Sequence, residues 1–222
     1  MLEELLRPKA IAVVGASKSP GKVGRAILEN LIHAGFEGAI YPINPSAEEL
    51  LGLTCYPSPE AVGKPVDLGI IVVPPKAVPD AVKSCAKAGA KAVIVITAGF
   101  KEVGGEGVQM EKDLAALGKK LGIRLLGPNV LGLINTENNM NASFAVQMPH
   151  KGHISVLSQS GALCTAILDW SVGRGVGLSK LFSIGNKADL SENDLLSELG
   201  DDPDTNRSEE HTSELQSHLN LV

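Results

Sequence analysis

The densest run of chemically suggestive residues is Gly15-Ala-Ser-Lys-Ser-Pro-Gly21-Lys-Val-Gly24. A glycine-rich turn that opens a helix presents backbone N–H groups and the positive end of the helix dipole, so the chemistry it suits is phosphate binding. Gly15 permits a sharp turn, Ser17 and Ser19 add hydroxyl donors, and Lys18, Lys22 and Arg25 place cations nearby. The spacing differs from the dinucleotide pattern GxGxxG. A nicotinamide site also calls for an acid near the end of the second strand, and Tyr41-Pro42-Ile43-Asn44-Pro45 has none. The turn therefore reads as a phosphate site and not an NAD site.

Two further segments fall at strand ends on the same side. Val73-Pro74-Pro75-Lys76 makes a rigid bend whose prolines donate no N–H, and Ile96-Thr97-Ala98-Gly99-Phe100 offers a hydroxyl and a flexible glycine. Together with the first turn they flank one crevice. A second Ser/Gly turn, Ser158-Gln159-Ser160-Gly161, precedes another helix and suits a second anion, such as a transferred phosphoryl group or an acyl carboxylate. It is not a hydrolase nucleophile elbow, because position 158 is serine, and the downstream histidines, His211 and His218, lie in an atypical tail. Cys164 reads as a packing residue. His33 suits a helix C-terminus, His150 and His153 a linker or strand edge, and Asp189 to Asp204 a solvated acidic face. Cys55, Cys85 and Cys164 are too far apart for a CxxC metal motif or a disulfide framework.

The elements that position these residues follow from periodicity. Ala10–Gly15, Ala39–Ile43, Leu68–Val73, Ala92–Ile96 and Ile123–Leu126 are short, continuous apolar runs, the pattern of buried parallel strands. Helical spacing occupies Gly21–Ala34, Val78–Ala88 and Val108–Leu121, with Gly35 and Gly89 as stops. This alternation predicts an α/β fold with a doubly wound parallel sheet. Residues 128–152, rich in Asn, Gly and Pro, read as a crossing linker. A second α/β unit begins with strand Ile154–Leu157, helix Ala162–Arg174, strand Leu178–Ile184 and helix Glu192–Leu199.

Composition narrows the function classes. The chain has 222 residues, 44% of them hydrophobic, and a net charge of −5, which excludes wholesale disorder. No apolar run approaches the ~20 residues of a membrane span, and MLEELLRPKA lacks a cleavable hydrophobic leader, so a cytoplasmic protein is expected. Residues 1–188 carry 19 basic and 15 acidic groups, whereas 189–222 carry 1 basic and 10 acidic. That excess suits an anionic small molecule but is too slight for nucleic acid.

VVGAS at 13–17, YPINP at 41–45, GLTCYPS at 52–58, VDLGIIVVPP at 66–75, ITAGF at 96–100, GPNVLG at 127–132 and SVLSQSGAL at 155–163 occur in this order. Together they resemble the NDP-forming acyl-CoA synthetases, over roughly residues 6–206. The resemblance implies a Rossmann-like CoA-binding domain (1–150) and the truncated start of a flavodoxin-like ligase domain (151–206). It implies coenzyme A contacts from Ser17, Lys18, Ser19 and Pro20 and from Ile96, Thr97 and Ala98. Gly15, Lys22 and Pro74 complete the expected set, with Ser158, Ser160 and Gly161 for substrate or phosphate. One departure matters: relatives commonly carry a lysine after the Asn-Pro of the second strand, where this chain has Ser46-Ala47, leaving Lys18 or Lys22 to compensate.

The family reaction joins a small carboxylic acid to CoA at the expense of ATP or GTP with Mg, through acyl phosphate and phosphohistidine. The resemblance places that histidine, and a β-type ATP-grasp subunit or fused domain, beyond this sequence. The chain is therefore expected to bind CoA without turnover, with no catalytic residue of its own. The alternatives are a regulatory CoA-binding module of an acyltransferase and, less consistent with Asn44, an NAD-binding redox protein. The stretch 207–222 shares none of the preceding texture and resembles the conceptual translation of a sequencing adapter. A buried strand is due after Asp202-Pro203, yet no apolar run arrives, so residues up to about 150 are expected to form the cooperative unit and the remainder to be loosely held.

Overall fold

A computed structural model describes residues 2–205, and 207–211 as backbone. After a single turn of helix, α1 (Glu3–Leu6), the chain enters β1 (Ala10–Val14), whose five residues are all buried, as an apolar run covered on both faces must be. Helix α2 (Val23–Ala34) buries Ile27, Leu28 and Leu31 and stops where Gly35 adopts a left-handed conformation. There follow β2 (Ala39–Ile43), a small hairpin of β3 (Glu49–Leu50) and β4 (Leu53–Thr54), β5 (Leu68–Ile71), α3 (Val78–Lys87), β6 (Ala92–Val95), α4 (Glu106–Leu121) and β7 (Arg124–Leu126). Gly89 stands just past α3, with its N–H donating to Ala86 O and that of Ala90 to Cys85 O.

The first sheet runs β2-β1-β5-β6-β7, and all four pairings are parallel. The chain leaves β1 toward β2 on one side and continues through β5 on the other. The order therefore reverses between β1 and β5, and a crevice opens there at the strands' C-terminal ends.

The second sheet departs from expectation. Its order is β12-β10-β11-β8-β9, in which β8 (Gly132–Asn135) and β9 (Met140–Ser143) form an antiparallel hairpin inside the supposed linker. The polar residues that obscured these strands have buried partners. Asn135 donates to Leu6 O at 2.9 Å, and Asn141 Oδ1 accepts from Ser143 Oγ at 2.6 Å. β10 (Lys151–Ser158), α5 (Gly161–Arg174), β11 (Leu178–Ser183) and α6 (Glu192–Gly200) complete the described unit, with β12 (Arg207–His211) parallel to β10 at the edge. A strand thus follows Asp202-Pro203 without an apolar run, its backbone pairing with β10; the rest of the atypical tail lies outside the described residues.

Four of the acids of 189–204 are not a solvated face either, because their partners come from distant segments. Arg124 meets Asp189 at 2.9 Å and Asp194 at 3.1 Å, while Arg7 meets both Asp202 and Asp204 at 3.1 Å. Lys180, fully buried, places its ammonium 2.5 Å from Asp202. One hydrophobic cluster runs from Leu5, Ile11 and Leu28 of the first unit to Leu157, Phe182 and Leu195 of the second. Burying such side chains contributes roughly 1.5–3 kcal/mol each, so the second unit is anchored on the first rather than loosely held.

Candidate functional site

At the β1/β5 reversal lies a cavity of about 660 Å³ lined by Gly15, Ser17, Lys22, Asn44, Ser58 and Val72 among others. Its floor follows from glycine geometry. Gly15 has φ +95°, and a Cβ there would come within 2.6 Å of Val72 O. A Cβ on Gly24 would approach Gly15 O to 2.1 Å, so only glycine lets α2 start directly on the turn. Asn44 Nδ2 donates to Ala16 O at 2.7 Å and Arg25 Nη1 to Lys18 O at 2.9 Å, which fixes the loop from both sides. Asn44 thus pins the turn at the position where a nicotinamide site wants an acid.

The start of α2 is open to a ligand. Its N-cap, Lys22, makes no side-chain cap, and Val23 and Gly24 line the cavity. Among the described residues, neither Lys18 nor Lys22 is in an ion pair. Uncommitted N–H groups, the helix dipole and the cavity-lining Lys22, with Lys18 exposed on the same loop, give one end of a largely apolar crevice the chemistry that suits an anion. Of the expected contacts, Gly15, Ser17 and Lys22 line this cavity, whereas Lys18, Ser19 and Pro20 sit exposed on the same loop. Ser17 Oγ accepts from Ser19 N at 3.1 Å, so that hydroxyl also shapes the turn. Val72 and Val73 reach the cavity, but Pro74 is exposed beside it and its carbonyl caps a single turn through Ala77 N.

A second cavity, about 590 Å³, adjoins the first through Val23 and Val72 and lies between the two sheets. Ile96, Thr97 and Ala98 line one wall, Asn129, Val130 and Leu131 another, and Gln159, Gly161 and Thr165 the third. Thr97 Oγ1 donates to Val73 O at 2.7 Å and Asn129 N to Thr97 O at 3.0 Å, so the three strand ends are tied together.

The Ser158–Gly161 turn divides between structure and site. Ser160 caps α5, its Oγ accepting from Leu163 N at 3.2 Å, and the buried Ser158 Oγ accepts from Ser160 N at 3.1 Å. Both hydroxyls hold the turn, while Gly161 alone of the three reaches the cavity. Burial pushes the Cys164 thiol up to about 12, so it packs rather than attacks. Sequence reasoning did not single out Val23, Asn129, Gln159 or Thr165. Asn129 lay within the GPNVLG motif and Gln159 within the Ser158–Gly161 turn, and the helical residues Val23 and Thr165 become visible only once the sheets are placed together.

The model of the CoA binding domain family matches residues 9–136, and that of the succinyl-CoA ligase like flavodoxin domain matches residues 151–208. Acetate--CoA ligase [ADP-forming] I of Archaeoglobus fulgidus is 49% identical over 204 residues, covering 92% of this chain and 30% of that protein. The alpha subunit of acetate--CoA ligase [ADP-forming] I of Pyrococcus furiosus is 42% identical over 208 residues, covering 92% and 45%. Among solved structures, the dinucleotide forming acetyl-coenzyme A synthetase 1 of Ca. Korarchaeum cryptofilum, in complex with phosphate and ADP, superposes with a TM-score of 0.92 at 44% identity, over 95% of this chain and 45% of that one. The chain thus spans less than half the length of these relatives. It has their order of a Rossmann-like parallel sheet followed by the start of a flavodoxin-like unit, and it belongs to the CoA binding domain family.

Proposed function

We propose that this chain is the CoA-binding portion of an ADP-forming acid–CoA ligase, and that CoA lies across the two adjoining cavities. The observation that carries the reading is the uncapped start of α2, set on Gly15 at the sheet's reversal point and flanked by Lys18 and Lys22. In this reading the first turn, Gly15 to Lys22, takes the phosphates, because an N–H cradle and two cations lower the free energy of an anion there. The flexible arm passes Val72 toward Ile96, Thr97 and Ala98, where a largely apolar wall suits it. The Gly161 turn faces the same space from the second unit and suits the carboxylate or phosphoryl group that must meet the thiol.

For the whole protein we propose the conversion of a small carboxylic acid, CoA and ATP or GTP with Mg²⁺ into acyl-CoA, NDP and phosphate, through acyl phosphate and a phosphohistidine. The nucleotide and Mg²⁺ belong with an ATP-grasp subunit or fused domain; no residue of this chain is assigned a catalytic role. The domain division 1–150 and 151–206 is proposed with the 132–143 hairpin serving the second sheet. Three free, buried cysteines fit the reducing cytoplasm, and no described helix is long and apolar enough to cross a membrane. The acyltransferase and redox alternatives gain no observation. Calorimetric titration of the 222-residue chain with CoA, with NADH in parallel, tests the reading: saturable binding of CoA alone supports it, and binding of NADH alone sinks it.

A further inference from the structure

Asn186, in the loop after β11, is 7% exposed, and every polar atom it has is engaged. Its Nδ2 donates to Glu102 Oε2 at 2.5 Å and to Glu111 Oε2 at 2.8 Å. Its Oδ1 accepts from Asn129 Nδ2 at 3.3 Å, its N–H donates to Pro128 O at 2.9 Å, and its carbonyl accepts from Lys101 Nζ. All of these partners belong to the first unit or to the segment leaving it. Two of them control walls of the second cavity. Asn129 is itself a lining residue, and Glu102 Oε1 accepts from the N–H groups of Gly99 and Phe100, which follow directly on Thr97 and Ala98. Burial works against ionisation of Glu102, but its hydrogen bonds from Asn186 and from the Gly99 and Phe100 N–H groups hold the carboxyl below the ordinary range, so it stands as a charged acceptor.

We propose that Asn186 is a positioning residue: through Asn129, and through Glu102 and the Gly99 and Phe100 N–H groups that follow Thr97 and Ala98, it makes the second unit set the shape of the Thr97–Ala98 and Asn129 walls, so that affinity for the arm of CoA, and not for its nucleotide end, depends on this buried amide. The proposal rests on CoA lying across both cavities. The Thr97–Phe100 segment is tied at Thr97 to Val73 and Asn129, and beyond it Gly99, at φ +105°, leaves the backbone dependent on what its N–H groups meet. Here two restraints are supplied by one carboxylate whose other oxygen is held from the opposite sheet. Charge-assisted bonds of this kind contribute more than neutral ones, and loss of the amide takes one donor each from Glu102 and the buried Glu111, leaving Lys101 N on Glu111 and the Gly99 and Phe100 N–H groups on Glu102.

The test compares the 222-residue chain with Asn186→Ala and, as a gentler variant, Glu102→Gln, which keeps an acceptor for the loop N–H groups but turns an NH₂ toward Asn186. Amide hydrogen exchange at Gly99 and Phe100 and titration with CoA and with adenosine 3′,5′-bisphosphate are read together. In Asn186→Ala, exchange at the two amides rises with β1 and β5 unchanged. CoA binding weakens about tenfold in both variants, while the bisphosphate binds as in the parent. Unchanged exchange in Asn186→Ala overturns the proposal, as does equal weakening of both ligands. If the parent chain binds neither ligand, the CoA reading falls instead, and the exchange result alone then upholds or overturns the positioning of the loop. Should Asn186→Ala fail to fold, Glu102→Gln decides: equal CoA affinity to the parent overturns the proposal.

Discussion

At the residue scale, the first turn shows how one position can be fixed by geometry and another by chemistry. Gly15 combines φ +95° with a carbonyl 2.6 Å from where a Cβ would sit. Gly15→Ala is therefore expected to destabilise the chain by about 2 kcal/mol or more and to displace the cavity floor, seen as a lowered Tm together with weaker CoA binding. Lys180 makes a different case. Its buried ammonium has Asp202 at 2.5 Å, whereas Asp202 also has Arg7 and Thr205. Removing the acid strands a charge, whereas removing the lysine leaves the acid partnered. Asp202→Ala is expected to cost about 3–5 kcal/mol and Lys180→Met distinctly less; equal losses in chemical denaturation would contradict that asymmetry. The sequence could not disclose this pair: the two residues are 22 positions apart, and an acid-rich segment reads as solvated until its cations are placed.

At the element scale, helix starts carry the contrasts. α2 begins uncapped beside the cavity, whereas α6 begins with a complete capping box in which Ser191 and Asp194 satisfy one another's backbone groups. The Ser191 hydrogen bonds and Arg124 hold the Asp194 carboxyl well down, at about 2. Since the folded value lies below the ordinary one near 3.8, the contribution is present above pH 3.8 and is lost as the pH falls toward 2. Ser191→Ala is expected to cost about 1 kcal/mol at neutral pH, and Asp194→Asn to flatten the acid limb of the stability profile between pH 4 and 2. An unaltered acid limb would remove Asp194 from that account. The parallel strands of the first sheet were legible because burial on both faces demands continuous apolar runs. β8 and β9 were not, because Asn135, Asn141 and Ser143 answer their buried polarity with partners the sequence does not name. Likewise the glycine turn was legible as the opening of a cavity at the sheet's reversal point, while Asn129 and Thr165 line the adjoining cavity only through the packing of one sheet on the other.

At the scale of the whole molecule, the two units behave as one body around a shared core. Asn30 of α2 donates to Ser143 O and Ala145 O at 2.8 and 2.7 Å, and α2 packs directly along β9. A polypeptide cut at residue 150 would keep β8 and β9 yet lose β11, the strand that pairs with β8. Hydrogen exchange on the 222-residue chain is thus expected to give similar protection in β5 and in β11, and the 1–150 piece to aggregate; strong protection of β5 beside rapid exchange in β11 would contradict a common core. The central claim is that the first turn binds the phosphates of CoA. Its most direct test is calorimetric titration of the chain and of its Lys18→Ala, Lys22→Ala double variant with CoA at low and high salt. The account predicts that the double variant binds about tenfold more weakly at low salt, with an unchanged Tm, and that the gap narrows as salt screens the two charges. Equal affinity of the two proteins at low salt would contradict it.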